Sequence, residues 1–281
     1  MLASSARAIG IRGAEIGVYG AEEEEIVTSL NQNEIRANSV LPAHREPIVL
    51  TTADGLRLVG ELATPVDTAP VATLVCVHPL PTQGGMMDSH LFRKAAWRLP
   101  ALAGFAVLRF NTRGTSSPAG QSEGEFDQGE AEGLDLAAAV DFVHERGLPT
   151  PWLVGWSFGT DVILKSPPAA SIAGVILISP PLHFSSEAEL LRWASLDVPI
   201  IALVPELDDY LRPAQARERF GVLPNATVIE GVKAKHLWVG ESSVVFVLNQ
   251  IAHAVDPQRF ISGQNDLSTT WQGPMERWTD L

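Results

Sequence analysis

Nucleophilic chemistry needs a hydroxyl, a base and an acid, and the sequence offers all three behind apolar runs. Gly155-Trp156-Ser157-Phe158-Gly159 follows Pro151-Trp152-Leu153-Val154 and precedes Thr160-Asp161-Val162-Ile163-Leu164-Lys165. A serine in a Gly-x-Ser-x-Gly turn between a strand and a helix is the arrangement of a nucleophile elbow. Small residues two positions either side let strand and helix pack closely there. The same string can be only a turn, so its partners matter. Ile200-Ile201-Ala202-Leu203-Val204 is followed by Pro205-Glu206-Leu207-Asp208-Asp209, and Thr227-Val228-Ile229-Glu230 by Gly231-Val232-Lys233-Ala234-Lys235-His236.

The roles follow from the chemistry. A serine hydroxyl is a poor nucleophile until a base takes its proton. His236 is the candidate base. An acid must fix its tautomer and stabilise the imidazolium, and Asp208 is the candidate, with Asp209 and Glu206 as rivals. The oxyanion of a tetrahedral intermediate needs N–H donors. One candidate is the backbone of Phe158, directly after Ser157. The other is Leu80 in His78-Pro79-Leu80-Pro81, because its proline neighbours have no N–H. His78 is expected to hold that loop by hydrogen bonds. His183 is either a pocket or a plain loop residue. His44, His90, His144 and His253 read as surface or helix residues. Asp161, on the elbow helix, is expected out of reach of His236, and Arg113 reads as a buried arginine tying loops together.

These residues must be positioned by regular elements. Ile48 to Thr52 and Leu56 to Leu62 flank Ala53-Asp54-Gly55, which predicts a hairpin. Continuous apolar strands are expected at 72–77, 105–110, 152–155, 173–179, 198–204 and 226–230. Helical spacing appears at 89–102, 185–195, 213–220 and 241–254. A further helix is expected over 129–146, with Leu134, Ala137, Ala138 and Phe142 as its apolar face. Strands alternating with helices predict an α/β fold with about eight strands, mostly parallel, and helices on both faces. Sites in such sheets lie beyond the carboxyl ends of strands, where all three candidates fall. Pro167-Pro168 is expected to stop the elbow helix early.

Residues 1–45, with Glu22-Glu23-Glu24-Glu25, read as a mobile or loosely attached extension. Residues 46–255 form the expected main domain and 256–281 a partly ordered C-terminal extension. No apolar run is long enough to span a bilayer, and Met1 to Gly20 does not read as a signal peptide. The single cysteine, Cys76, is expected to be a buried, inert thiol, which fits a cytoplasmic location. A net charge of −13 argues against nucleic acid or anionic membrane as partners. No metal or cofactor is expected: the histidines are scattered, and Gly84-Gly85 lacks the context of a phosphate loop. Oligomeric state has no signal in the sequence.

The elbow, the late acid and His236-Leu237-Trp238 resemble the α/β-hydrolase superfamily, whose order is serine, acid, histidine. The chain is more narrowly similar to small, mostly bacterial α/β-hydrolases with an HPxP…GGxM loop, an NxRG turn and a GEFDxGxxE stretch. Here these read His78-Pro79-Leu80-Pro81 with Gly84-Gly85-Met86-Met87, Asn111-Thr112-Arg113-Gly114, and Gly124-Glu125-Phe126-Asp127-Gln128-Gly129-Glu130. The likeness spans roughly residues 47 to 254. The usual Gly-Asp-x-Asp acid motif is replaced by Pro205-Glu206-Leu207-Asp208. The resemblance implies serine-hydrolase chemistry on carboxylic esters or similar small acyl compounds. A peptidase, thioesterase or acyltransferase using the same three residues is the alternative, and a non-catalytic binding homologue a third. The short stretch between the 173–179 and 198–204 strands leaves room for one small helix, so little or no cap is expected. Met86, Trp156 and Leu182 are then candidate pocket walls.

Overall fold

The structure is a computed structural model and describes residues 32–166, 171–277 and 279. Its centre is an eight-stranded sheet: β1 (His44–Thr51), β2 (Arg57–Thr64), β3 (Ala72–Val77), β4 (Phe105–Phe110), β5 (Pro151–Trp156), β6 (Gly174–Ile178), β7 (Ile200–Pro205) and β8 (Ala226–Gly231). Their spatial order is β8-β7-β6-β5-β3-β4-β2-β1. The β1–β2 hairpin is antiparallel and joins antiparallel to β4; β3 to β8 run parallel. Every residue of β3, β4, β5 and β6 is buried, as strands covered on both faces must be. β1 lies at one edge, where Pro47 removes no needed ladder donor.

The helices are α1 (His90–Ala103), α2 (Glu132–Glu145), α3 (Phe158–Lys165), α4 (Glu187–Arg192), α5 (Pro213–Phe220) and α6 (Glu241–Val255). Two apolar layers form, one on each face of the sheet. The first joins α2, α3 and α5 to the sheet through Val140, Val162 and Phe220. The second joins α1 and α6 through Phe92 and Val247. α3 ends at Lys165, as the following proline pair predicts. Between β6 and β7 stand only α4 and one 3-10 turn, Trp193–Ser195, so no lid domain is inserted there. Among the described residues no helix is long and apolar enough to cross a membrane.

Two expectations are corrected by the fold. α2 buries Leu136, Ala139, Val140 and Val143, whereas Leu134 and Ala137 are exposed and Ala138 and Phe142 half-buried. The helix is rotated because two carboxylates occupy its buried face. Asp135 accepts from the Arg113 backbone N–H and guanidinium, and Glu132 from the N–H groups of Asp127 and Gly129. Periodicity counted on apolar residues alone misses a face completed by satisfied charges.

The second concerns the chain ends. Residues 1–31, including the acidic block, lie outside the described residues. The rest of the expected extension is not loosely attached. Gln32–Glu34 pairs antiparallel with Thr270–Gln272, and Ser39–Val40 with Glu276–Arg277. Val40 and Leu41 are fully buried. In the C-terminal segment Phe260 and Leu267 are buried too, and the Arg259 guanidinium donates to the last carbonyls of α1, at Leu102 and Ala103.

Candidate active site

Ser157 stands between β5 and α3 with φ 53° and ψ −119°. Left-handed backbone costs a non-glycine residue energy, and the surrounding packing must hold it there. The flanking glycines supply that packing. A Cβ on Gly159 would lie 2.0 Å from the Val77 carbonyl oxygen, and one on Gly155 would lie 2.6 Å from that of Gly159. Helix and sheet therefore meet backbone to backbone, and Ser157 is thrust up at the carboxyl end of the sheet.

Asp208 and His236 follow β7 and β8, which lie two and three strands across the sheet from β5. His236 Nε2 lies 2.9 Å from Ser157 Oγ, and His236 Nδ1 lies 2.9 Å from Asp208 Oδ2. Asp208 is buried, and its other oxygen accepts the N–H groups of Tyr210 and Leu211. The rivals are placed elsewhere. Asp209 is exposed, while Glu206 accepts the Lys233 N–H at 2.6 Å and so braces the loop that carries His236. That loop is also held at its centre. The carbonyl of His236 accepts from Ser179 Oγ, which in turn accepts from Trp238 Nε1, both at 2.8 Å. Ser179 is buried at the end of β6 and was not singled out by the sequence, since a serine after a strand carries no distinguishing signal.

The loop after β3 faces this row. His78 is fully buried, with Nδ1 2.7 Å from the Pro79 carbonyl and Nε2 accepting the Thr112 N–H at 3.0 Å. Burial holds its imidazole down at about 4. It thus ties the Pro79-Leu80 loop to the turn after β4. Asn111 Oδ1 in that turn accepts the Met87 N–H, which fixes the other end of the same loop. Arg113 pairs with Asp135 and Asp54 and ties the turn to α2 and the hairpin. Asp161, buried by α3, accepts from the N–H groups of His183 and Ser185 and the Ser185 hydroxyl. Burial raises its carboxyl above the usual carboxylate value. It anchors the opposite wall and takes no part in the Ser157 row.

Between these loops lies a cavity of about 390 Å3 lined by Ser157, His236, Phe158 and Leu80. Trp156 lines it as expected, whereas Met86 and Leu182 do not. Met86 is turned into a tight bend, its N–H donating to Ser89 Oγ, and Leu182 packs against the core. In their place Phe184, His183, His90 and Tyr210 form walls. His90, read as a surface or helix residue, does open α1, and it also lines the cavity, edge-on to Trp156 with ring centroids 5.2 Å apart. Phe184 packs edge-on against Phe158, and Phe126 of the GEFD stretch backs both. Among the described residues no group of three or more His, Cys, Asp or Glu side chains is arranged to hold a metal ion. Cys76 is buried in β3, which pushes its thiol up to about 12.

This arrangement can transfer a proton from the serine hydroxyl to an imidazole whose far nitrogen already meets a carboxylate. No protein-family model matches the sequence. Among curated proteins, an uncharacterized protein of Rickettsia prowazekii (strain Madrid E) is 26% identical over 163 residues. The match covers 56% of this chain and 64% of that protein, under two thirds of the relative's length. Solved structures are similar over more of the chain. An alpha-beta serine hydrolase homologue from Coxiella burnetii gives a TM-score of 0.63 at 21% identity, over 74% of this chain and 96% of that one. A lid-less α/β serine hydrolase from Xanthomonas campestris gives 0.61 at 25% identity, over 77% and 96%. An esterase from Pyrococcus furiosus gives 0.62 at 17%, over 79% and 97%. In fold, this chain is an α/β-hydrolase without a lid domain.

Proposed function

We propose that the protein is a serine hydrolase that cleaves a carboxylic ester of a small acyl substrate through an acyl-enzyme intermediate on Ser157. The observation that carries this reading is the hydrogen-bonded row Asp208–His236–Ser157, with 2.9 Å at each contact. Ser157 Oγ attacks the acyl carbon while its proton passes to His236 Nε2. The imidazolium is stabilised by Asp208 across Nδ1. The tetrahedral oxyanion takes hydrogen bonds from the backbone N–H groups of Phe158 and Leu80, which border the cavity beside Ser157. Phe158 opens α3, so its N–H has no acceptor within the helix.

Collapse of the intermediate expels the alcohol, which leaves with the proton held by His236. Water then gives a proton to His236 and attacks the acyl carbon. The acid departs and Ser157 recovers its proton. His236 must be neutral to begin each half, because only the unprotonated Nε2 can take a proton. The protein is further expected to be cytoplasmic and to act without a metal or cofactor on a small-molecule substrate.

A fluorophosphonate probe is expected to label the wild-type protein and not the Ser157→Ala variant. Asp208→Asn should keep the fold and lower kcat by roughly 10³–10⁴. Labelling of Ser157→Ala equal to wild type would overturn the assignment. A panel of matched ester, thioester and amide substrates separates esterase from thioesterase and peptidase action.

A further inference from the structure

None of the side chains lining the cavity belongs to a lysine, arginine, aspartate or glutamate. Its apolar lining residues are Leu80, Phe184, Leu237 and Val239, with Trp156 and Phe158 buried behind. Its polar members are three histidines, two serines, a glutamine and Tyr210. Burial lowers His90 below the ordinary imidazole value, so its ring is neutral at pH 7.

The second observation is at the mouth. Leu237 is 51% exposed, Val239 75% and Tyr210 56%, and all three line the cavity. They sit on the two loops that carry His236 and Asp208. Tyr210 packs against the His236 ring with centroids 4.6 Å apart. Large apolar side chains left in water along a cleft mark a surface that a ligand covers. With no lid inserted between β6 and β7, nothing among the described elements covers this one. The apolar lining thus includes half-buried Leu80 and Phe184 as well as the exposed Leu237 and Val239 at the mouth.

We infer that the site takes esters carrying an uncharged aliphatic chain of several methylenes, which runs from Ser157 along this wall to the rim, and that it rejects chains ending in a carboxylate. The inference rests on the serine-hydrolase reading above and adds the substrate class. Apolar contact along the wall favours each added methylene until the chain passes the rim. A carboxylate ending a chain short enough to stop inside the rim would lose water and meet no cation among the lining residues. The formal net charge of −13 adds long-range repulsion of anions. About 390 Å3 is near the lower end of the roughly 300–1,000 Å3 of small-molecule sites, which suits one chain and not a branched lipid.

Two ester series test this: p-nitrophenyl acetate, butyrate, hexanoate and octanoate for a chain on the acyl side, and alkyl acetates of the same lengths for a chain on the alcohol side. Each buried methylene is worth up to about fourfold in kcat/KM, from ~0.8 kcal/mol. Allowing for partial burial, hexanoate should exceed acetate by about tenfold or more in at least one series. The glutarate half-ester, close to hexanoate in length, should fall at least about tenfold below it. Val239→Asp, at an exposed position that folding tolerates, should cut hexanoate turnover by about tenfold and acetate turnover by much less. Flat profiles in both series, or glutarate equal to hexanoate, would overturn the inference while leaving ester cleavage intact. Absence of both probe labelling and turnover of every ester would instead overturn the underlying serine-hydrolase reading.

Discussion

His78 uses both ring nitrogens to join two loops, and those bonds define its protonation state. Nδ1–H donates to the Pro79 carbonyl, which leaves Nε2 as the acceptor for the Thr112 N–H. A second ring proton would point at a donor. Burial already lowers the group from its ordinary 6.5 to about 4. The sign follows by linkage: the unfolded chain binds the proton first, so His78 favours the folded state fully above pH 6.5. That contribution is lost as pH falls towards 4 and is on the order of 3 kcal/mol, at about 1.4 kcal/mol per pKa unit. Melting temperatures measured between these limits should fall with acid, and His78→Gln, less stable throughout, should show a shallower slope. The structural part of His78 was legible in the sequence, since a histidine beside the Pro79-Leu80 loop stands far ahead of the late-chain candidate base. Its partner Thr112 was not, because nothing in the sequence says that the turn after β4 folds over that loop.

At the scale of elements, the strands are the most legible part. β3 and β4 match the expected spans, and β5 to β8 agree within two residues, because continuous apolar runs bounded by glycine, proline and polar residues have one sheltered solution in a parallel sheet. α2 was the failure, with its length nearly right and its facing wrong. The rotation is testable. Leu136→Ala, fully buried, should cost about 2–5 kcal/mol in urea unfolding. Leu134→Ala, at 38% exposure, should cost less than about 1 kcal/mol. Equal costs at the two positions would contradict the placement of Asp135 and Glu132 on the inner face. Pocket walls were also poorly legible: Trp156 and Phe158 flank the nucleophile in sequence, while Phe184, Tyr210 and Val239 reach the cavity only through loop conformation.

Across the whole molecule, the described chain ends close on each other over the α1–α6 side of the sheet. Phe260 packs edge-on against Phe105, and the Leu267 N–H donates to Asn249 of α6. The short pairings of residues 32–34 and 39–40 with the C-terminal segment make the two ends one structural unit. Removal of residues 257–281 should lower stability by roughly 3–6 kcal/mol, the worth of exposing Phe260 and Leu267. Thermal melts would register this. Below the lowered transition, probe labelling of Ser157 should persist, because Ser157, Asp208 and His236 lie at strand ends and not on this clamp.

The sequence by itself determined the sheet, the elbow, and which candidate serine and histidine stand past strand ends, with Asp208, Asp209 and Glu206 left as rival acids. It could do so because strand periodicity, the Gly-x-Ser-x-Gly string and residues just past strand ends are local patterns with local physical causes. Tertiary structure alone decided which acid meets His236, since Asp208 and Asp209 are neighbours whose side chains leave the backbone in different directions. It also decided what lies around Ser157. A lining without a charge is a property of five separate loops brought together in space, and no segment of the chain carries it.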